Sequence, residues 1–167
     1  MKIFITADHN FHHKNIIEYC GRPFKTVDEM DKVMIEKWNK KVGKDDLVIH
    51  LGDFALGSKE KVKETREKLN GTIILIKGNH DRVTNSFIIV EDSLRIGNLI
   101  FSHRPILKNE IPKGCINVHG HIHEKESISG INVSVEKTDY EPILLEELEK
   151  KIAKEKDKKT EMIDKHG

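Results

Sequence analysis

Carboxylate, amide and imidazole side chains follow five short apolar runs of the sequence, each at the point where the run ends. In chain order they are Asp8-His9-Asn10, Gly52-Asp53, Gly78-Asn79-His80-Asp81, His103-Arg104 and His119-Gly120-His121-Ile122-His123. One histidine after a strand is ordinary, but five coordinated occurrences are not. Oxygen and imidazole ligands without a thiolate are those that Mn²⁺, Fe²⁺ or Zn²⁺ accepts in hydrolytic sites. The pattern therefore predicts a centre with two metal ions, which needs a bridging carboxylate and several terminal ligands.

The elements that must position these side chains alternate between strand and helix in the first half of the chain. Residues 2–6, 46–51 and 72–77 have the composition of buried strands, and residues 26–42 and 58–70 have helical periodicity. Thr26 and Glu29 have the spacing of a capping box, and Trp38 belongs to the apolar face of the first helix. This order predicts right-handed crossovers and a parallel sheet, and sites form at the carboxyl edge of such sheets.

The second half is rich in short strands. We predict them over residues 87–90, 94–96, 99–102, 116–118, 131–135 and 142–145, with a tight hairpin at Gly97-Asn98. A second, partly antiparallel sheet packed on the first accommodates them. From residue 149 onward charged residues dominate, so we expect one domain over 1–148 and a charged tail over 149–167. That tail is expected to be helical or disordered, either solvated or a weak electrostatic arm.

Composition excludes several classes of function. The net charge is +1, whereas a dedicated nucleic-acid or membrane binder is usually strongly basic. No apolar run is long enough to cross a bilayer, and the amino terminus lacks the pattern of a signal peptide. Cys20 and Cys115 allow at most one disulfide, so a reducing cytoplasm is the expected location.

The five groups together resemble the calcineurin-like metallophosphoesterase family. Its pattern is Asp-x-His, Gly-Asp, Gly-Asn-His followed by Asp or Glu, His, and Gly-His-x-His, and this chain carries matching elements in that order between residues 1 and 148. The resemblance implies an α/β fold, a four-layer α-β-β-α sandwich of two mixed sheets flanked by helices. It also implies metal-dependent hydrolysis of phosphoesters.

The resemblance implies a role for each matching residue. The first metal would be held by Asp8, Asn10 and His123, and the second by Asn79, His103 and His121, with Asp53 bridging the two. His80 would be the catalytic histidine that protonates the leaving oxygen, and Asp81 would orient and support it. Arg22 and Arg104 could contact substrate phosphate, or each could simply be a surface residue.

Asn10 departs from the family pattern, which has histidine at this position. An amide oxygen is a poorer ligand than imidazole for transition metals. The first metal could therefore bind weakly, prefer Mn²⁺ or Mg²⁺, or recruit His9 or His12 instead. The change could also inactivate the site.

The expected function is that of a small stand-alone phosphohydrolase with two divalent ions, Mn²⁺ favoured and Fe, Zn, Ni or Mg possible. A water molecule shared by two cations ionises near neutral pH, and the same cations neutralise phosphate oxygens. Small or nucleotide-like phosphodiesters are the favoured substrates, with phosphomonoesters as the nearest alternative. A non-catalytic metal-binding scaffold is a rival that the presence of His80 disfavours, and a nuclease would need a basic surface. We expect a monomer or a homodimer.

Overall fold

The strands and helices follow the predicted alternation closely. The computed structural model describes residues 1–82 and 85–166. In chain order the strands are β1 (Ile3–Thr6), β2 (Leu47–His50), β3 (Thr72–Ile76), β4 (Ile88–Val90), β5 (Ser93–Ile96), β6 (Leu99–Ser102), β7 (Ile116–His119), β8 (Ile131–Asn132) and β9 (Ile143–Leu144). The helices are α1 (Ile16–Tyr19), α2 (Val27–Lys41), α3 (Lys59–Glu67) and α4 (Leu145–His166).

Five strands form the first sheet, in the order β4-β3-β2-β1-β9. The first four run parallel, and β9 returns antiparallel to β1. The hydroxyl of Thr26 accepts a hydrogen bond from the Glu29 amide at the start of α2, as its capping-box spacing predicts. Ser58 caps α3 in the same way through the Lys61 amide. These caps fix where each crossover helix begins relative to the strand before it.

The second sheet contains four strands in the order β5-β6-β7-β8. The predicted hairpin forms β5 and β6, which pair antiparallel, whereas β6, β7 and β8 are mutually parallel. Strand β8 is shorter than predicted: Ser134 forms an isolated bridge with Ala7, and a 3₁₀ turn begins at Val135. Both sheets are therefore mixed, as expected for this α/β fold, while the four-layer order stays a prediction.

Alternate residues of β1, β2 and β3 enter two different apolar cores. Phe4 and Val48 pack with Trp38 and Met34 of α2 in one cluster. Ile5, Ile49 and Ile76 pack in the other cluster with residues of the second sheet, such as Phe101 and Val118. A strand buried on both faces reads as a continuous apolar run, which explains the composition of these three strands.

The predicted boundary at residue 149 falls inside one continuous helix. Leu145, Leu148 and Ile152 of α4 are buried in the core cluster that contains the second sheet. Residues 153–166 are all exposed, as expected for a solvated charged face, and Gly167 lies outside the described residues. Ile152 is thus a core residue, which the surrounding lysines conceal in the sequence. None of the helices in the described ranges has the length and apolar composition needed to cross a bilayer.

Candidate metal centre

Backbone hydrogen bonds bring the five polar groups to one edge of the two sheets. The amides of Asp8 and Asn10 donate to the carbonyls of Gly52 and Asp53, each at 3.0 Å, so the first two loops run side by side. In the second sheet the Gly120 amide donates to the His103 carbonyl at 3.0 Å. The His121 amide joins the two sheets, because it donates to Asp8 Oδ2 at 2.7 Å. The predicted convergence at the carboxyl ends of the strands is therefore present in the structure.

Five of the candidate ligands have left-handed backbone conformations. The φ angles range from 51° to 73° at Asp8, Asn10, Asp53, His121 and His123. Such angles are uncommon outside glycine and cluster where function over-determines the backbone. The turns occur at the residues that carry the ligand atoms, so the chain bends most sharply where each strand delivers its side chain.

Two glycines allow the loops to approach more closely than any other residue would. A Cβ atom on Gly78 would collide with Asp53 Oδ1, and one on Gly120 would collide with Asp8 Oδ2. Both obstructed atoms belong to carboxylates of the candidate centre. The glycine of each motif is therefore needed for the close approach of main chain to ligand.

One group of three side chains has the spacing of a metal site. The ligand atoms of Asp53, His103 and His121 all lie within 4.8 Å of one another. His103 Nε2 lies 3.5 Å from Asp53 Oδ2 and 3.2 Å from His121 Nδ1. His103 Nδ1 is bonded to the Leu51 carbonyl at 2.7 Å, and a carbonyl can only accept. The proton of this imidazole is thereby fixed on Nδ1, which leaves the Nε2 lone pair directed into the cluster.

Asn79 and His80 lie at the exposed rim beside this cluster. Arg104 donates to Asn79 Oδ1 at 2.8 Å. The sequence left open whether this arginine contacts substrate or is simply a surface residue, and the structure places it beside the centre. The His80 amide donates to Asp53 Oδ1 at 3.0 Å, which places residue 80 next to the bridging carboxylate. We refer to Asn79, His103 and His121 as the second half-site.

Asp81 ties three loop segments together through main-chain contacts. Its carboxylate accepts hydrogen bonds from the amides of Asp53, Phe54 and Gly78, at 2.7 to 2.8 Å. Burial raises the pKa of Asp81, although these hydrogen bonds oppose the effect. None of the hydrogen bonds found among the described residues joins Asp81 to the His80 ring, so support of His80 by Asp81 stays a prediction.

Asp8, Asn10 and His123, the first half-site, contain buried oxygens that fit a metal ion. Asp8 Oδ2 accepts from the His121 amide and the Ser134 hydroxyl. Over the part of the chain that the structure describes, Asp8 Oδ1 and Asn10 Oδ1 are buried without a hydrogen-bond partner. Buried polar atoms are normally paired, and an unpaired one costs free energy. A divalent cation would satisfy both oxygens, so the residues present fit the expected group.

A buried ion pair lies behind the first half-site. Arg22 Nη2 lies 2.7 Å from Glu136 Oε1, and both side chains are almost fully buried. Arg22 also donates to the carbonyls of Asp8 and His9, each at 2.7 Å. The same Glu136 oxygen lies 2.9 Å from His123 Nδ1, which leaves His123 Nε2 for a metal. Arg22 is therefore a positioning residue of the loop, and the expectation that it could contact substrate or lie on the surface is wrong.

Ionisation of the first half-site follows from its burial. Desolvation raises the pKa of Asp8 to about 6, against the influence of His123 and His103. Burial alone would lower the pKa of His123, but the hydrogen bond to Glu136 and the charge of Asp8 raise it above its usual value. Both groups thus hold a proton more strongly than usual, and a metal ion must displace it.

Cys20 lies close to the first half-site, although it was not assigned a role from the sequence. Its sulfur lies within 4.8 Å of ligand atoms of His123 and Glu136. Burial raises the pKa of the Cys20 thiol to about 12, so it is a neutral group in the metal-free protein. The Arg22 ion pair already occupies Glu136, and Cys20 therefore contributes packing beside the network.

His9 and His12 differ in whether a ring nitrogen is left open. The buried ring of His9 stacks on Phe11 and bonds through Nδ1 to His50 Nε2 at 3.0 Å, whereas its Nε2 has no hydrogen-bond partner among the described residues. His12 bonds through one ring nitrogen to Asp31 at 3.0 Å and through the other to Thr65 at 2.6 Å. His12 is therefore not a free replacement for Asn10, while ligation by His9 in place of residue 10 stays a prediction.

Two further histidines have structural partners. His50 accepts from the Gly52 amide, and burial lowers its pKa to about 3, as expected for a packed residue. His119 Nε2 is bonded to the Ser127 hydroxyl at 2.7 Å, and the residue is fully buried. The ring of His13 lies edge-on to Tyr19, and its buried Nδ1 has no partner among the described residues. No role is assigned to it.

Glu136 and Ser134 are the site residues that the sequence interpretation missed. Ser134 donates to Asp8 Oδ2 at 2.8 Å, and Glu136 orients His123. Both lie at the end of the predicted strand over residues 131–135, where the same edge rule applies. That position was the available signal, but neither residue belongs to a recognisable spacing motif.

Comparison with known proteins gives consistent results. A sequence model of the calcineurin-like phosphoesterases matches residues 1–167. The uncharacterized protein MJ1445 of Methanocaldococcus jannaschii is 39% identical over a match that covers 93% of each chain. The crystal structure of AQ665, a protein of unknown function from Aquifex aeolicus, superimposes with a TM-score of 0.70 at 26% identity. That match covers 89% of this chain and 98% of the other.

Proposed function

Because this chain belongs to the calcineurin-like phosphoesterase family, we propose that it is a metal-dependent phosphohydrolase that prefers small phosphodiesters. The observation that carries the proposal is the convergence of Asp53, His103 and His121, together with the oxygens of Asp8 and Asn10 that have no partner within residues 1–82 and 85–166. A structural metal site would be closed by its ligands, whereas this cluster adjoins an exposed rim that carries His80.

Each half-site would hold one divalent ion, with Asp53 between them. Bound in this way, the two ions would lower the pKa of a water molecule and neutralise the phosphate oxygens. Mn²⁺ is the favoured ion because oxygen donors form much of the ligand set. The roles of the seven ligands remain those that the family resemblance implies.

His80 is proposed to donate a proton to the leaving oxygen. An alkoxide is a poor leaving group, so a positioned acid is needed as the ester bond breaks. The backbone amide of His80 donates a hydrogen bond to Asp53 Oδ1, which keeps residue 80 at the rim of the centre. Arg104, bonded to Asn79 at the same rim, would add a cation that can approach a phosphate oxygen.

A location in the cytoplasm and a small substrate belong to the same proposal. Cys20 and Cys115 are both free thiols, which fits a reducing compartment. The net charge of +1 provides no electrostatic footprint for long nucleic acids.

The test is hydrolysis of bis(p-nitrophenyl) phosphate and p-nitrophenyl phosphate by the full chain with added Mn²⁺. We expect the diester to be cleaved with the higher kcat/KM, and the Asp53→Asn variant to be inactive on both. Preference for the monoester would reassign the substrate class. Metal binding without turnover of either compound would identify a non-catalytic scaffold.

A further inference from the structure

An apolar groove of about 670 Å³ lies beside the candidate metal centre. Its apolar lining includes Pro105, Ile106, Leu107, Ile122 and Ile128. The volume is within the range of small-molecule sites, which are mostly apolar with a few polar groups. No step of the proposed hydrolysis uses these residues.

The groove adjoins a pocket of the candidate centre. That pocket is lined by Asn79, His103 and Arg104, and it shares Pro105 and Ile106 with the groove. Ile122 of the groove stands between His121 and His123 in the chain. Two residues of chain span about 7 Å at most, so the groove wall at Pro105 begins within that distance of His103.

The groove wall includes large apolar side chains that face water. Ile128 is fully exposed, and Leu107 is 64% exposed. Lys108 and Lys125 also line the groove, together with Glu126, whose carboxylate is paired with Lys137. This combination suits a compact ligand that has an apolar part and an anionic part. It does not suit a sugar, whose hydroxyl groups would need several polar partners.

We propose that the groove binds the organic group of the substrate, and that this group is aromatic or a branched alkyl chain. Such a subsite presupposes the proposed phosphoesterase activity and narrows its substrate class. Phosphoesters of apolar alcohols or phenols would bind with the phosphate at the metal centre and the organic group against Ile122 and Ile128. Diesters of sugars or glycerol would gain little from the groove.

The test uses methylphosphonate, isobutylphosphonate and phenylphosphonate, which share one head group and carry a single organic group. Their binding to the Mn²⁺-loaded protein is measured by calorimetry and by competitive inhibition. Each buried CH₂ group is worth roughly fourfold in affinity, so burial of two of the added carbon atoms should make phenylphosphonate and isobutylphosphonate bind at least about tenfold tighter than methylphosphonate.

The paired substitutions Leu107→Asn and Ile128→Asn keep the net charge and should reduce this preference to near one. Ile163→Asn replaces an equally exposed residue far along α4 and should keep the wild-type preference. Equal binding of the three phosphonates would overturn the subsite. A dimer that dissociates on Ile128→Asn with no change in preference would also overturn it and make the groove an interface between copies.

Failure of the subsite differs from failure of the proposed function. If methylphosphonate binds and the chromogenic diester is hydrolysed, but the larger phosphonates bind no better, only the subsite is wrong. If the Mn²⁺-loaded protein binds none of the phosphonates and hydrolyses no ester, the proposed function itself is wrong.

Discussion

The two half-sites lie at the same edge of the fold, but different kinds of group orient their ligands. In the first, a buried carboxylate that is paired with Arg22 holds His123. In the second, the neutral Leu51 carbonyl orients His103. A side chain can be lost by one substitution, whereas a main-chain carbonyl cannot. The first half-site should therefore be more sensitive to mutation and to pH than the second.

The metal-ligand atoms of the two half-sites also differ. The first half-site has one imidazole and two oxygen donors, whereas the second has two imidazoles and one amide oxygen. Imidazole binds late transition ions more strongly than an amide oxygen does. We therefore expect the two half-sites to fill unequally, with the second binding metal more tightly.

The largest expected effect comes from emptying both half-sites at once. Dialysis against excess chelator should abolish hydrolysis of bis(p-nitrophenyl) phosphate, because no side chain of the centre is itself a strong nucleophile. Added Mn²⁺ should restore the rate, and stepwise addition should show whether activity requires the weaker half-site to fill. Full turnover in excess chelator would contradict a metal-dependent reaction.

Replacing His80 should reduce the rate while leaving both half-sites filled. We expect His80→Asn to lower kcat by roughly 10²–10⁴, the usual contribution of a general acid. The metal content, measured by atomic emission, should match that of the wild type because His80 is not assigned as a ligand. Loss of one ion from this variant would show that His80 belongs to a half-site.

Removing the Glu136 charge behind the first half-site should weaken metal binding there and leave the second half-site unchanged. Glu136→Gln leaves Arg22 buried without its partner, and losing one member of a buried pair costs roughly 3–5 kcal/mol of unfolding free energy. Loss of such a partner of a metal-binding histidine lowers affinity roughly 10–100-fold. In calorimetric titrations, we expect this decrease in metal affinity at the first half-site alone.

The matched control for this variant is Asp139→Asn. It also converts a carboxylate in an ion pair to an amide, but Asp139 is 85% exposed. Its unfolding free energy and metal affinities should stay close to those of the wild type. Equal weakening of both half-sites in Glu136→Gln would mean that the ion pair supports the whole centre.

Acid should weaken the first half-site more than the second. The pKa of Asp8 is raised to about 6, so below pH 6 the metal must displace its proton. One pH unit below that value, at pH 5, affinity should be about tenfold lower than at neutral pH, and the raised pKa of His123 adds to the loss. Burial lowers the pKa of His121, so that ligand holds a proton less strongly than an ordinary histidine does. Mn²⁺ titrations between pH 5 and 7.5 measure the difference.

Local patterns predicted the second half-site better than the surroundings of the first. The motifs at Gly78, His103 and Gly120 follow regular strands, and their ligands need only the edge of the sheet to meet. Arg22 and Glu136 are separated by 114 residues, and no local periodicity or spacing links two such residues. The burial of Ile152 was not predicted for a related reason, since it depends on how α4 packs against the core cluster that contains the second sheet. The sequence thus predicts which side chains meet at the ends of strands, but not contacts between distant residues that lie outside such motifs.

The smallest expected effect on activity is that of Asn10→His, which tests the comparison most directly. The amide oxygen of Asn10 is buried without a partner among the described residues, so it is placed to bind a metal, but an imidazole nitrogen should bind the ion more strongly. The substitution should tighten the first half-site, by roughly tenfold or less, which is at most about 1.4 kcal/mol.

Asn10→His should also shift the metal preference toward later transition ions and raise the rate of hydrolysis at limiting metal. At saturating Mn²⁺ the gain should shrink, because His80 and the substrate contacts are unchanged. Calorimetric titration and diester hydrolysis by both proteins provide the measurement. If the two proteins bind metal with identical affinities at both half-sites, residue 10 is not a ligand, and His9 becomes the candidate for the first ion.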